Sequence, residues 1–117
     1  MRWIMPFAIA HRGASQLAPE NTLSALKIAK EKGASWVECD IQLTRDHQPV
    51  IFHDDSLERT TNGKGLAGDC SYSFLRTLDA GKWFHPRFSG QTIPSLAASG
   101  PRGSTMDQTA GQRFHLP

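Results

Sequence analysis

"IAHRGASQLAPENTLSALKIAKEKGASWVECDIQL", residues 9 to 43, decides the fold. It begins inside a short apolar run, "FAIA" at 7 to 10, of the kind that fills a buried parallel strand. Gly13 and Ala14 end that run. Pro19-Glu20-Asn21-Thr22 then starts a helix, with Asn21 or Thr22 as its N-cap. Leu23, Leu26 and Ala29 form the helix's buried stripe. Lys30 and Lys32 stand in the last turn, and Gly33 suits the position just past the end. "SWVECDIQL" follows with strict alternation. Val37, Cys39, Ile41 and Leu43 face one way; Trp36, Glu38, Asp40 and Gln42 face the other. Strand, helix and strand in so short a span make a βαβ unit, so the fold class is α/β and the two strands are parallel.

After residue 43, "TRDHQP" leads into "VIFHD". A handful of turn residues cannot cross over to a parallel neighbour, so this is a hairpin. A two-residue turn centred on Asp46-His47 sets Leu43 opposite Val50, Ile41 opposite Phe52 and Asp40 opposite His53. Opposed residues share a face, so this register carries His53 to the carboxylates, and a shift of one residue would turn it away.

The texture changes after residue 55. Residues 1–55 read as a βαβ unit plus hairpin. Residues 56–96, rich in turn formers around a short helix in "SYSFLRTLDAG", read as an inserted subdomain. Residues 97–117 have few large apolar side chains and no periodicity, and read as a disordered tail.

The whole chain has 117 residues, enough for one small domain. Its net charge of +2 gives no reason to expect nucleic acid or an anionic membrane as a partner. No apolar run approaches the roughly 20 residues of a membrane span. Arg2 and "WIMPFAIA" end in an Ala8-Ile9-Ala10 that mimics a leader cleavage site, but the run is short and Pro6 interrupts it, so it reads as a strand. Cys39 and Cys70 have no metal-type spacing and read as buried thiols of a cytoplasmic, reducing compartment.

Glu38 and Asp40 place two carboxylates on one strand face. Two acids in a shared space repel unless a cation lies between them, and hard oxygen donors suit Mg²⁺ or Ca²⁺; a solvated polar face is the plainer alternative. His11 and His53 end two different apolar runs. Histidines there can pass protons or simply be structural. Arg12 adds a permanent cation with a fork suited to phosphate oxygens, and Gly13 allows close approach to the backbone. Gly63, Gly65 and Gly68 match a dinucleotide fingerprint, but no strand precedes them and no amphipathic helix follows, so they read as a turn.

Taken together, "HRG", "PENT", "ECDIQLTRD", "VIFHDDSLERTTNGKG", "LDAGKWF" and "IPSL" resemble the glycerophosphodiester phosphodiesterase family from Phe7 to Leu96, in the family's order and near its spacing. The resemblance implies the N-terminal portion of a TIM (β/α)8 barrel with an inserted small subdomain. It implies metal-dependent hydrolysis of small-molecule glycerophosphodiesters, such as glycerophosphocholine, to sn-glycerol 3-phosphate and an alcohol. It also implies roles: His11 and His53 as the acid/base pair, Arg12 on the phosphate, and Glu38 and Asp40 on the divalent metal.

A TIM barrel takes about 200 residues or more, so these residues make an incomplete one. The family continues after "IPSL" with a helix and a strand bearing a third metal-binding glutamate and a nearby lysine. Here residues 97–117 hold one acid, Asp107, and no lysine. The expectation is a truncated or frameshifted form with weak or no activity. The alternative is a non-catalytic remnant that binds phosphate or metal. A phospholipase D-like barrel shares the order His, Glu-x-Asp, His, but "PENT" and "LDAGKWF" argue against it.

Overall fold

The computed structural model describes residues 9–99, 102–107 and 111–115. The start of the expected first strand, at residues 7 and 8, and the leader-like segment up to Ala8 lie outside them. Strand β1 is Ile9–His11, helix α1 is Leu23–Glu31 and strand β2 is Trp36–Cys39. β1 and β2 pair in parallel, with His11 opposite Glu38, so the βαβ unit forms as its periodicities require.

Thr22, not Asn21, caps α1: its hydroxyl accepts from the Ala25 N–H at 3.3 Å and donates to the Pro19 carbonyl at 2.7 Å. The helix ends on Gly33 at φ 89°, with Gly33 N–H bonding the Lys30 carbonyl and Ala34 N–H the Ala29 carbonyl. That double bond satisfies the last carbonyls and needs a left-handed residue, which glycine supplies without strain. The buried stripe is Ala25, Leu26 and Ala29; Leu23 is 45% exposed, because the first-turn position rolls outward from the sheet. Leu26 packs with Val37, Cys39 and Ile51, and Ala10, Ile41 and Leu96 close around them.

"SWVECDIQL" is not one strand. It breaks at Asp40, and β3, Ile41–Leu43, leaves the first sheet to pair with β4, Pro49–Ile51. Alternation survives in β2, where Val37 and Cys39 are fully buried, but Leu43 at the far end of β3 is 56% exposed. The hairpin is antiparallel as expected, but its register differs by one residue. Ile41 opposes Ile51, Gln42 opposes Val50 and Leu43 opposes Pro49. The cause lies in the turn. Thr44 N–H bonds the Gln48 carbonyl, so the loop holds three residues, and His47 sits in the left-handed region at φ 62°. The Thr44 hydroxyl binds both Asp46 and the Gln48 N–H, and Asp46 also accepts from Tyr72 N–H, docking the tip onto the next segment.

Residues after β4 fold around a second apolar cluster in which Val50 and Phe52 meet Leu57, Ala67, Leu75, Leu78, Ala80 and Ile93. The expected short helix is α2, Tyr72–Leu75, capped by Ser71. Gly65, within the glycine-rich "NGKGLAG", turns at φ 96°, and no strand leads into it. Helix α3, Leu96–Ser99, follows.

Within the segment expected to be a disordered tail, residues 102–107 and 111–115 are described. β5, Arg102–Asp107, and β6, Gly111–His115, form an antiparallel hairpin, and β6 pairs antiparallel with β2. β1 pairs with one edge of β2 and β6 with the other, where the N–H and carbonyl groups of β2 would otherwise lack sheet partners. A strand pairs there without needing the apolar periodicity that its sequence lacks. No helix among the described residues is long and apolar enough to cross a membrane.

Candidate active site

The C-terminal ends of β1 and β2 lie side by side, and the chemistry-bearing residues gather there. His11 ends β1, and its Nε2 is 3.5 Å from Glu38 Oε1 on β2. Arg12 follows at once, its N–H bonded to the Glu38 carbonyl at 2.6 Å. The backbone of Arg12 is left-handed, at φ 53°, and Gly13 follows at φ 77°. A non-glycine residue there is strained, and it holds only when its surroundings over-determine it. They do: the Arg12 guanidinium lies 3.2 Å from Asp40 Oδ2 and 3.3 Å from Glu20 Oε2.

Asn21 is a second left-handed residue, at φ 56°, tied to the first because its N–H bonds the Arg12 carbonyl at 2.9 Å. Its amide Nδ2 donates to Asp40 at 3.1 Å, while its buried Oδ1 has no hydrogen-bond partner. Asp40 is therefore braced from two sides, at the bend between β2 and β3. Arg12 Nε is likewise buried without a well-aligned acceptor, although Asp40 lies within ion-pair distance; the contact is charge proximity rather than an aligned hydrogen bond.

His53 does not reach the site by strand register. β4 has ended at Ile51, and Asp40's carbonyl faces Phe52, whose N–H it accepts at 2.9 Å. Gln42 instead straps the segment after β4, its Nε2 donating to the carbonyls of Phe52 and Asp54. His53 then bonds Asp54 Oδ1 through Nδ1 at 2.6 Å. Asp54 is gripped by Arg59 through two bonds of 2.8 and 2.9 Å, and Arg59 makes two more, both 3.0 Å, to Glu20. A continuous line of contacts thus runs His53–Asp54–Arg59–Glu20–Arg12–Asp40. His53 lines a small cleft with Glu20, Asn21 and Phe52.

Of the residues singled out in the sequence, His11, Arg12, Glu38 and Asp40 are brought together directly, and His53 joins through this chain of charges. Glu20, Asn21, Gln42, Asp54 and Arg59 were given no part in the site, Asn21 being read only as a possible helix cap. "PENT" and "HDDSLERTT" contained four of them, and a carboxylate and an arginine beside the two histidine motifs were the available signal. The Arg59 guanidinium, then the His53 ring, hold the Asp54 carboxyl at about 2 against the opposing effect of burial. Cys39 is fully buried and its thiol is pushed up to about 12, first by burial and then by Asp40 and Glu38, so it is inert; Cys70 is only half-buried, and both cysteines are free.

The glycerophosphoryl diester phosphodiesterase family matches residues 11–108, which carries the match past Leu96. Among curated relatives, the glycerophosphodiester phosphodiesterase of Caldanaerobacter subterraneus is 48% identical over 88 residues, 75% of this chain and 36% of that protein. Human glycerophosphodiester phosphodiesterase 1 is 44% identical over 91 residues, 76% of this chain and 28% of that one. Among solved structures, an Oleispira antarctica phosphodiesterase in complex with the product sn-glycerol-3-phosphate superposes with a TM-score of 0.78 at 49% identity, covering 80% of this chain and 38% of that one. The Agrobacterium tumefaciens glycerophosphodiester phosphodiesterase gives a TM-score of 0.75 at 43% identity, covering 77% and 39%. The chain spans less than two-fifths of the length of each of these four relatives. With the family matched across most of its length, this chain belongs to the glycerophosphoryl diester phosphodiesterase family.

Proposed function

We propose that these residues form the phosphate-binding and proton-transfer part of a metal-dependent glycerophosphodiester phosphodiesterase, the N-terminal portion of a TIM barrel. The products would be sn-glycerol 3-phosphate and an alcohol. The supporting observation is the pairing of β1 with β2, which sets His11 opposite Glu38 at the carboxyl ends of parallel strands, with Arg12 and Asp40 in ion-pair contact beside them. Active sites of parallel α/β folds are built at those strand ends.

A phosphodiester is an anion that repels nucleophiles. Arg12 can accept its charge with a planar fork of donors, exchanging part of its contact with Glu20 and Asp40 for phosphate oxygens. His11 and His53 would serve as general acid and base, one taking a proton from the nucleophile and the other giving one to the leaving alkoxide. Glu38 and Asp40 are hard oxygen donors, and the unpartnered Oδ1 of Asn21, whose Nδ2 bonds Asp40, adds a neutral one. That donor set fits Mg²⁺ or Ca²⁺, although no cluster of three metal-ligating His, Cys, Asp or Glu residues occurs among the described residues. A divalent cation held there would draw negative charge from the phosphodiester.

The test is release of sn-glycerol 3-phosphate from glycerophosphocholine, with and without a chelator, by this chain joined after Leu96 to a family-like continuation that completes the barrel. Chelator-sensitive turnover that His11→Ala and His53→Ala each nearly abolish supports the reading, and turnover unchanged by either substitution sinks it. A second reading, a non-catalytic module that binds phosphate or metal, draws on the pairing of β6 with the outer edge of β2. Binding of phosphate that requires Arg12, with no turnover, would favour it.

A further inference from the structure

We propose that Asp54, clamped by Arg59 and Glu20, is a positioning residue that fixes His53 as its Nδ1–H tautomer and so leaves Nε2 as the ring's proton acceptor. Three observations lead there. First, the His53 Nδ1 to Asp54 Oδ1 distance of 2.6 Å is short, in the range of a charge-assisted bond. Second, Asp54 cannot be the donor in it. Both its oxygens already accept from Arg59, and the guanidinium keeps the carboxyl ionised. An ionised carboxylate only accepts, so the proton between the two groups belongs to Nδ1. Third, the clamp is anchored far away in sequence. Arg59 is bidentate to Asp54 and bidentate to Glu20, and Glu20 also touches Arg12, the residue next to His11. One carboxylate therefore ties the support of one histidine to the residue that follows the other.

A free imidazole in water prefers the opposite tautomer, with the proton on Nε2. A ring left to itself would present a donor where a base is needed. The orienting partner on the other nitrogen decides which nitrogen can take a proton. This inference rests on the reading of His53 as a proton carrier, yet its test needs no turnover.

The experiment is the ¹⁵N spectrum of the imidazole rings in the full 117-residue chain, above the pH at which the rings become neutral. We expect His53 to show a protonated Nδ1 and an unprotonated Nε2. Asp54→Ala should lower the Nδ1–H to Nε2–H ratio by roughly tenfold, about what the loss of one charge-assisted hydrogen bond represents. Asp54→Asn, nearly the same shape but uncharged, should lower it less and covers the case in which the alanine variant fails to fold. Arg59→Gln should fall between, and Arg59→Lys should restore part of the change. A wild-type ring with its proton on Nε2, or a ratio unmoved by both Asp54 substitutions, would overturn the proposal. Failure of the phosphodiesterase assay alone would leave the tautomer result standing.

Discussion

Glu20 and Arg59, 39 residues apart, meet in a bidentate ion pair with both N···O distances at 3.0 Å. Glu20 lies in the loop before α1, and Arg59 lies beyond β4. Their contact joins the βαβ unit to the segment that carries His53. The Glu20 side chain is only 10% exposed and Arg59 is 47% exposed, so the pair is shielded on its carboxylate side and open to water on the other.

Acid should weaken the molecule in a defined window. Asp54 titrates at about 2 when folded and at 3.8 when not, held down chiefly by Arg59. A depressed carboxyl contributes stability fully above its unfolded value and loses it as pH falls toward the folded one. The loss therefore runs from about pH 4 to pH 2 and amounts to about 2 kcal/mol at most, because Asp54 is partly solvated. Asp79 is also held at about 2. Burial is the largest single influence on it and acts upward, but the N–H groups of Gly90, Lys82 and Gly81 and the Ser89 hydroxyl outweigh it. Urea melts at pH 5 and pH 2.5 should show a smaller acid loss in Arg59→Ala than in wild type, with the Asp79 share remaining. Equal losses in the two proteins would contradict the assignment to Asp54.

Gly13 should be far less replaceable than Gly33, although both have positive φ. A Cβ on Gly13 would meet Ala25 Cβ at 2.7 Å and the Ala25 carbonyl carbon at 2.8 Å, whereas one on Gly33 meets nothing within 4 Å. Backbone strain costs each alanine variant about 1–2 kcal/mol, and overpacking adds roughly 1–3 kcal/mol at Gly13. Gly13→Ala should therefore lose about 3 kcal/mol in urea unfolding and Gly33→Ala about 1 kcal/mol. Equal losses would mean that α1 does not press on the Gly13 turn.

The βαβ unit, the hairpin and the clustering of His11, Arg12, Glu38 and Asp40 were legible because each follows from period, turn length or strand adjacency. The register was not. The sequence "TRDHQP" suits a two-residue and a three-residue loop equally well, and the choice rests on whether His47 accepts a left-handed backbone. The break at Asp40 was hidden for a similar reason: "SWVECDIQL" alternates without interruption, and only the pull of Asn21, Arg12 and Phe52 on Asp40 marks the place where the strand divides. The His53 support was hidden because it spans three separate segments, and no local pattern records that Glu20 will meet Arg59.

His47 offers a direct check on that register. Its φ of 62° suits asparagine or glycine and penalises a β-branched side chain. His47 is exposed, so substitution there changes little besides the backbone. His47→Asn should be neutral or slightly stabilising, and His47→Val should cost about 1–2 kcal/mol. A valine variant as stable as wild type would restore the two-residue turn.

The metal proposal is tested without turnover, through Asn21. Two carboxylates leave most of a divalent ion's coordination to water, so weak binding is expected, well short of a complete carboxylate cage. Glu38→Gln should abolish it, and Asp40→Asn should do the same. Asn21 divides two explanations of its buried, unpartnered Oδ1. If the amide only braces Asp40, its Nδ2 bond matters and the oxygen is incidental. If the oxygen is a ligand, removing it weakens the ion further. Asn21→Gly keeps the left-handed backbone at φ 56° and removes the whole amide, and Asn21→Asp keeps an oxygen donor while replacing the Nδ2 donor with a second repelling acid. For a ligating oxygen, calorimetric titration with Ca²⁺ should rank wild type and Asn21→Asp above Asn21→Gly, since a cation offsets the added repulsion. For a brace alone, both variants should fall below wild type, with Asn21→Asp the lower because its new charge faces Asp40. Ca²⁺ binding that survives both Glu38→Gln and Asp40→Asn would place the ion elsewhere.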